Sequence, residues 1–369
     1  MRVLYFFPEY ATPMFSWQRI HFLDELQRHG VEFDTFNPLL YDSPEIANDE
    51  FIKLMGIGKY DLLLSSVCYP GMIFPDVLKE AKRIGIPTLC IRWDNLTIPF
   101  FDKEQSKDFD LLWLTAIETA YLYKKWGANY IVQPYAANPY TFSPVSEDYI
   151  NRVCFIGTPY GSRSLMINQL AECKVPVSVF FGGGSKNRKE VTTKYKMITP
   201  SLRRQLFDRM KFAAGRKITW GMIVNKVSNN PQINRDNKNI EFHPAVTISE
   251  LSKHYSSFAL SLASTSTNHT DALKTPLKII NLRNFEIPMS GGIEICKYNA
   301  ELAGYFEEGK EIVFYSDNNE LVEKARYYIN TATESEIRAI KRAARKRAEN
   351  EHTWWCRFTK AFDALGLKY

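Results

Sequence analysis

Thr275-Pro-Leu-Lys278-Ile-Ile-Asn281-Leu-Arg283-Asn-Phe-Glu286-Ile-Pro288-Met-Ser-Gly291-Gly292 leads directly into the apolar run Ile293–Lys297. The order of signals is that of a helix feeding a buried strand. Asn281 is an N-cap residue type, Gly291 or Gly292 closes the helix, and the run that follows has the unbroken apolar character of a strand covered on both faces. Pro288 forfeits one backbone hydrogen bond and bends the helix. The charged residues have two readings. In one, the free N–H groups of the first turn, with Lys278 and Arg283, hold a diphosphate, and Glu286 accepts from the two hydroxyls of a ribose. In the other, Arg283 and Glu286 are an i, i+3 pair on an exposed helix, worth about 0.2–0.5 kcal/mol. Spacing alone weighs the two evenly.

The same strand–helix alternation extends in both directions. Arg2–Phe7, Val31–Phe36, Asp61–Val67, Ile86–Arg92, Leu111–Leu114 and Tyr130–Gln133 read as strands. Helical spacing occupies Trp17–His29, residues 75–84 and Glu118–Trp126, each stopped by a glycine (Gly30, Gly85, Gly127). An aperiodic stretch, Tyr135–Ser146, then interrupts with Pro139 and Pro144. A second series follows, with strands at Arg152–Gly157, Pro176–Phe181, Ile240–Phe242, Phe258–Leu262 and Ile293–Lys297 and helices at Ser164–Glu172 and Ser249–Tyr255. The last helices fall at about 320–331, 334–351 and 353–365. Such alternation predicts an α/β fold of two parallel-sheet domains, residues 1–146 and 147–350, with 351–369 as a C-terminal helix returning to the first.

With 369 residues, 45% hydrophobic and 24% charged, the chain has the composition of a globular protein of two domains. A net charge of +6 does not argue for a nucleic-acid partner. The N-terminus lacks the features of a signal peptide, and no apolar stretch approaches the roughly 20 residues of a spanning helix. The six cysteines are scattered without a C-x-x-C pair, as buried thiols in a reducing compartment would be, and the expected location is cytoplasmic. One segment stands out: Lys186–Lys217 carries eleven Lys and Arg against Glu190 and Asp208. Leu202, Leu206, Phe207 and Met210 fall at helical spacing within it. It reads either as a helix with one core face and one solvated face, or as a basic amphipathic helix touching an anionic membrane at the cytoplasmic face.

In open α/β sheets, ligands bind beyond the carboxyl ends of the strands. The loop Gly157-Thr-Pro-Tyr-Gly161-Ser-Arg163 sits at such an end. Glycine there lets backbone N–H groups approach an anion and Arg163 adds a fork of donors, although a tight strand–helix turn needs glycine in any case.

Taken in order, Leu282–Gly292, Glu308-Gly-Lys-Glu-Ile-Val313 and Glu351-His-Thr-Trp354 resemble motifs of the spore-maturation (CgeB-type) family of glycosyltransferases. Arg92-Trp-Asp94-Asn, Phe109-Asp110, Tyr123-x-x-x-Gly127 and Tyr135-Ala-Ala-Asn138-Pro-x-x-Phe142-x-Pro144 resemble further elements of it. The resemblance spans most of the chain apart from about 185–235, which reads as a basic insertion in the second domain.

That resemblance implies the GT-B fold, two Rossmann-like domains facing a central cleft. The acceptor would bind residues 1–146 and a nucleotide-sugar donor residues 147–350. Glu286 would take the ribose hydroxyls, and Arg163 and Lys278 would be the diphosphate cations. His243, Ala245 and Val246 would carry the base, and Ser264 and Thr265, in the loop that runs on to Asn268, the donor sugar. Neither a metal nor a cofactor is implied, since fixed cations stand in for the metal. The acceptor would be a glycan, glycolipid or glycoprotein in cell-surface assembly. An inverting reaction needs a general base, for which Asp94 is the first candidate and His21 the second. Lys278 stands where many retaining relatives carry a sugar-contacting glutamate. The E-x7-E spacing of Glu286 and Glu294 is a coincidence, because Glu294 falls on the following strand. A nucleotide-sugar epimerase and a non-catalytic glycan- or nucleotide-binding member are the competing readings.

Overall fold

The computed structural model describes residues 1–10, 17–182, 193–196, 199–227, 232–267 and 270–369. Twelve strands form two six-stranded sheets, and every strand pair in them is parallel. The expected α/β class with two Rossmann-like sheets is the class observed.

The first compact unit comprises Met1–Pro134, Arg188–Thr219 and Trp354–Tyr369. Its strands β1 (Arg2–Phe6), β2 (Glu32–Phe36), β3 (Leu62–Ser65), β4 (Thr88–Arg92), β5 (Leu111–Leu114) and β6 (Tyr130–Val132) lie in the order β2-β1-β3-β4-β5-β6. Strands β3, β4 and β5 are buried along their whole length, which is why their sequences are continuous apolar runs. On one face Leu4, Phe6, Leu63 and Leu112 share a core with Phe51 and Met55 of helix Pro44–Ile57 and Val77 of helix Pro75–Ile84. Tyr5 and Trp113 point the other way, into an aromatic cluster with Phe22, Trp354 and Phe358. Helix Trp354–Ala364 begins there, with the amides of Trp354 and Trp355 donating to the buried carboxylate of Glu25 at 3.1 and 2.8 Å. A negative group at a helix N-terminus satisfies its unpaired N–H groups and the helix dipole together. Arg92 Nε donates to Asp102 Oδ2 at 2.8 Å with both side chains buried, and the Tyr123 hydroxyl donates to the same oxygen at 2.6 Å. Arg92 of the Arg-Trp-Asp motif is thus a core ion pair, costly to break because either partner alone would be a buried charge.

The second unit comprises Tyr135–Asn187 and Trp220–Thr353. Its strands are β7 (Ile150–Ile156), β8 (Val177–Phe180), β9 (Ile240–His243), β10 (Phe258–Leu262), β11 (Glu294–Lys297) and β12 (Val313–Tyr315). The order β12-β11-β10-β7-β8-β9 is that of a doubly wound nucleotide-binding sheet, and it reverses between β7 and β10. Helices Ser162–Glu172, Asn318–Asn330 and Glu334–Glu351 bury Ile167, Leu321, Ile337 and Ile340 against one face.

Sequence reading passed over three elements, one of them helix Ala213–Val227. Helix Pro44–Ile57, capped by Ser43 and opened by Pro44, lies between strands in a stretch given no assignment above. Strand β12 has only three residues, too few for a period to register.

The basic segment departs from expectation twice. Arg188–Thr219 belongs with the first unit, not with the second as an insertion in it. Residues 186–192, 197 and 198 of the segment lie outside the described residues. Helix Leu202–Arg209 buries Asp208 and Arg209, while Leu202, Phe207 and Met210 are 62%, 63% and 53% exposed. The core face read from apolar spacing is therefore the solvent face. Asp208 takes salt bridges from Arg204 and Lys211 at 2.8 and 2.6 Å, and Phe212 supplies the buried apolar anchor.

Candidate functional site

The reversal between β7 and β10 places two loops side by side at the carboxyl edge of the second sheet: the one after Ile156 and the one after Leu262. Gly157 opens the first with φ +136, a backbone that side-chain-bearing residues rarely adopt. A β-carbon there would lie 2.7 Å from Arg283 Nη2, so the Arg283 guanidinium rests against the glycine backbone. Arg163 follows on helix Ser162–Glu172, with its guanidinium 4.5 Å from the Tyr160 ring centroid and Nη1 donating to the Thr158 carbonyl at 3.4 Å. Burial lowers the Arg163 pKa, and the positive charge of Arg283 lowers it further. Arg163 Nε is buried without a hydrogen-bond partner among the described residues. Two guanidiniums repelling one another beside a glycine turn make an arrangement that an anion relieves.

Arg283 begins helix Arg283–Met289, whose first turn is held by a relay of side chains. Asn281 Oδ1 accepts the Arg283 amide at 3.1 Å and Asn281 Nδ2 donates to the Ser264 carbonyl at 2.9 Å. Asn284 Oδ1 accepts the Asn281 amide at 2.8 Å, and its Nδ2 donates to Glu294 Oε1 at 2.5 Å. Leu282, between Asn281 and the helix, occupies the cap position itself. The helix ends in a Schellman closure: Gly291, at φ +70, and Gly292 donate to the carbonyls of Pro288 and Ile287, both at 2.9 Å. Glu294 is fully buried on β11, and desolvation raises its carboxyl pKa to about 7, against the lowering effect of hydrogen bonds from Cys296 and Asn284. It buttresses the loop from beneath.

Glu286 lies one turn beyond Arg283 and is 6% exposed. Its charge acts on the Tyr255 hydroxyl, whose pKa is raised by burial first and by Glu286 second. Tyr255 Oη is buried without a hydrogen-bond partner among the described residues. Ser264 and Thr265, after β10, are buried and line an open pocket with about 580 Å³ of atom-free space, together with Ser162, Asp271, Lys297 and Tyr315. Thr265 Oγ1 donates to the Lys297 carbonyl at 3.2 Å, and Ser162 Oγ to Asp271 Oδ2 at 2.7 Å. Asn268 lies outside the described residues. His243 pairs in register with Phe180 and Phe180 with Ile156, so the loop bearing Ala245 and Val246 leaves the same edge. The His243 ring stacks on Phe180 at 4.5 Å, and a β-carbon on Gly182 would lie 3.0 Å from Ala245 Cβ.

Lys278 falls away from the guanidinium pair, and the two candidate bases, His21 and Asp94, lie in the first unit. Lys278 is exposed, and its ammonium donates to the Tyr298 carbonyl at 2.5 Å; among the described residues no hydrogen bond or ion pair joins it to the loop at Gly157. The extended chain before helix Arg283–Met289 carries Lys278 to a bridge with Ser266, off the helix altogether. His21, in the first unit, is 1% exposed, with Trp354 Nε1 donating to its Nδ1 at 3.1 Å and the Trp17 ring at 5.7 Å. That is a packed histidine, closed to the solvent exchange an acid–base group needs. Asp94 stands two residues beyond β4 in the first unit, exposed, at φ +52, with its carbonyl accepting the Thr97 amide at 3.0 Å. Tyr255, Asp271 and Lys297 were not anticipated. Lys297 alone had a signal, as the last residue of a strand, where ligand-facing groups gather.

Among the described residues, no group of three or more His, Cys, Asp and Glu side chains is placed to hold a metal ion, and no helix is long and apolar enough to cross a membrane.

Residues 203–363 match the family model described as glycosyl transferase-like. A search of curated proteins finds no match. Among solved structures, HepE from Anabaena in complex with UDP-glucose aligns at 11% identity and a TM-score of 0.55, covering 99% of both chains. The UDP-forming α,α-trehalose-phosphate synthase of Burkholderia xenovorans, in complex with glucose-6-phosphate, aligns at 10% identity and 0.56, covering 99% of this chain and 100% of its own. Sucrose-phosphate synthase of Thermosynechococcus elongatus aligns at 12% and 0.54, covering 99% and 98%. At such identities the likeness is one of fold. That fold is GT-B, and the family-model match covers residues 203–363 of the chain.

Proposed function

We propose that the protein is a glycosyltransferase of CgeB-like type, moving a sugar from a nucleoside diphosphate sugar to an acceptor hydroxyl. The observation that carries this reading is the convergence of Arg163 and Arg283 on Gly157, with buried Glu286 one turn away. The guanidiniums take the diphosphate, whose charge grows as the sugar leaves, so they stabilise the transition state more than the ground state. Glu286 accepts from the ribose hydroxyls, the Phe242–Val246 loop holds the base, and Ser264 and Thr265 border the sugar. The bond from sugar C1 to the phosphate oxygen breaks as the acceptor oxygen bonds to C1. The acceptor proton passes to Asp94 in an inverting course, or to the leaving phosphate in a retaining one. The left-handed backbone of Asp94 is the kind of local strain that gathers at functional positions. Charge compensation by fixed arginines needs no metal.

The acceptor is assigned to a glycan or glycolipid at an anionic membrane surface on the cytoplasmic side. Exposed Leu202, Phe207 and Met210, interleaved with exposed Arg203, Arg204 and Lys211, support peripheral contact there.

A panel of nucleotide sugars tests the donor site. At least one should raise the melting temperature, as a ligand of the native state must, and Glu286→Ala should abolish that rise. The reading fails if no UDP-, GDP-, dTDP- or CMP-sugar shifts the transition.

A further inference from the structure

Arg338, Lys341, Arg342, Arg345 and Lys346 fall on one face of helix Glu334–Glu351 and line a pocket with about 570 Å³ of atom-free space, bordered opposite by Pro144 and Gly291. Gly291 precedes β11, and Ser256, to whose carbonyl Lys341 Nζ donates at 2.6 Å, precedes β10. The pocket therefore opens at the amino ends of the strands, on the edge of the second sheet opposite Gly157 and Ser264.

The cations are unequal. Arg345 is committed to the carbonyls of Pro139, Phe142 and Met289 and to Glu349. Arg338 shares Glu147, Asp148 and Glu334 at 3.6, 3.9 and 3.5 Å. Lys341 is 7% exposed and forms no salt bridge among the described residues; its ammonium donates to the Ser256 carbonyl and lies 4.6 Å from the Tyr149 ring centroid. Burial, and then the charge of Arg338, pushes its ammonium down to about 8. Arg342 and Lys346 form no ion pair among the described residues. A buried cation without a counter-charge is costly and is relieved by an anion in hydrogen-bond reach.

We propose that this pocket is a second ligand site, which binds an organic phosphate through Lys341, Arg342 and Lys346. A guanidinium fork beside two ammonium groups matches phosphate oxygens. The Pro144 ring with the aliphatic stems of the cations offers an apolar wall to the group that the phosphate carries. The phosphate comes either from a soluble phosphate ester or from a lipid headgroup.

Calorimetric titration with inorganic pyrophosphate is the test. Wild type should bind two equivalents, and Arg342→Gln with Lys346→Gln should lose one, at a cost of at least about tenfold in that affinity. Both side chains are exposed, so the double variant should fold as wild type does. An unchanged titration overturns the proposal. Arg163→Gln with Arg283→Gln should lose the other equivalent, and failure there would overturn the donor site alone. Glucose 1-phosphate titration and sedimentation with phosphatidylcholine vesicles containing phosphatidic acid separate the two sources. Binding of either that depends on Arg342 and Lys346 supports the site and names its source; dependence in neither overturns it.

Discussion

The guanidinium of Arg283 occupies the space a side chain on Gly157 would need, 2.7 Å from where that β-carbon would stand. The two residues are joined by the topology alone, one ending β7 and the other opening a helix after β10. Gly157→Ala should therefore act mainly on the ligand. The clashing atoms are the flexible end of Arg283, which moves aside, while the backbone at φ +136 adds strain of about 1–3 kcal/mol. Melting without ligand should fall by a few degrees, and nucleotide-sugar affinity by about tenfold or more once Arg283 is displaced. Thermal shift with and without the stabilising sugar measures both; an undiminished ligand shift would separate Gly157 from the site.

Arg163→Gln should separate binding from stability in the opposite sense. Burial and the charge of Arg283 both disfavour this guanidinium in the free protein. Its removal should leave the ligand-free melting temperature unchanged or higher. Loss of a charge-assisted hydrogen bond of about 1.5–3 kcal/mol should weaken diphosphate binding by roughly tenfold to a hundredfold. A variant that melts lower and binds equally well would make Arg163 a structural residue only.

Glu294 predicts a pH dependence. Its carboxyl is raised from 4.5 to about 7 in the fold, so between those values the native state holds a proton that the unfolded chain has lost. Stability from this group is greatest below about pH 4.5, falls as pH rises to about 7 and is level above, a span on the order of 3 kcal/mol. Glu294→Gln should retain the bond from Asn284 and lack this decline, so that it gains on wild type as pH rises. Urea unfolding of both proteins across that range decides it; parallel profiles would contradict the assignment.

The exposed apolar side chains of helix Leu202–Arg209 and Met210 predict a membrane phenotype without a folding one. Replacing Leu202, Phe207 and Met210 by Ser should leave the melting temperature within about 1 °C, because surface changes of this kind cost little. Vesicle sedimentation should show at least about a tenfold loss of binding, since each inserted side chain contributes of the order of 1.5–3 kcal/mol when fully buried. Arg203→Gln with Arg204→Gln should weaken binding to anionic vesicles and reduce its salt dependence. Arg209 is excluded from that set because it is buried. Full retention of binding by both variants would leave the segment an ordinary solvated surface.

Much of the architecture was legible because burial imposes local patterns. Continuous apolar runs marked β1, β3, β4, β5 and β10, and Gly85 and Gly127 closed the helices before β4 and β6. Helix Leu202–Arg209 misled for a related reason. Periodicity reports that one face differs from the other, not which of them meets the core, and here Asp208 and Arg209 face inward with Phe212.

For the stretch Asn281–Gly292, sequence by itself determined a helix with a glycine closure, the placement of Arg283 and Glu286 one turn apart, and a strand beyond. These follow from backbone sterics and hydrogen-bond satisfaction within a few residues. Only the tertiary structure decided what the charges meet. Strand order brought Gly157 beneath Arg283 and Arg163 within its field, sent Lys278 to the Tyr298 carbonyl, and set Glu294 under the loop through Asn284. Such encounters depend on which strands are neighbours across a sheet, and electrostatic energies depend on distance and burial, neither of which is encoded in spacing along the chain.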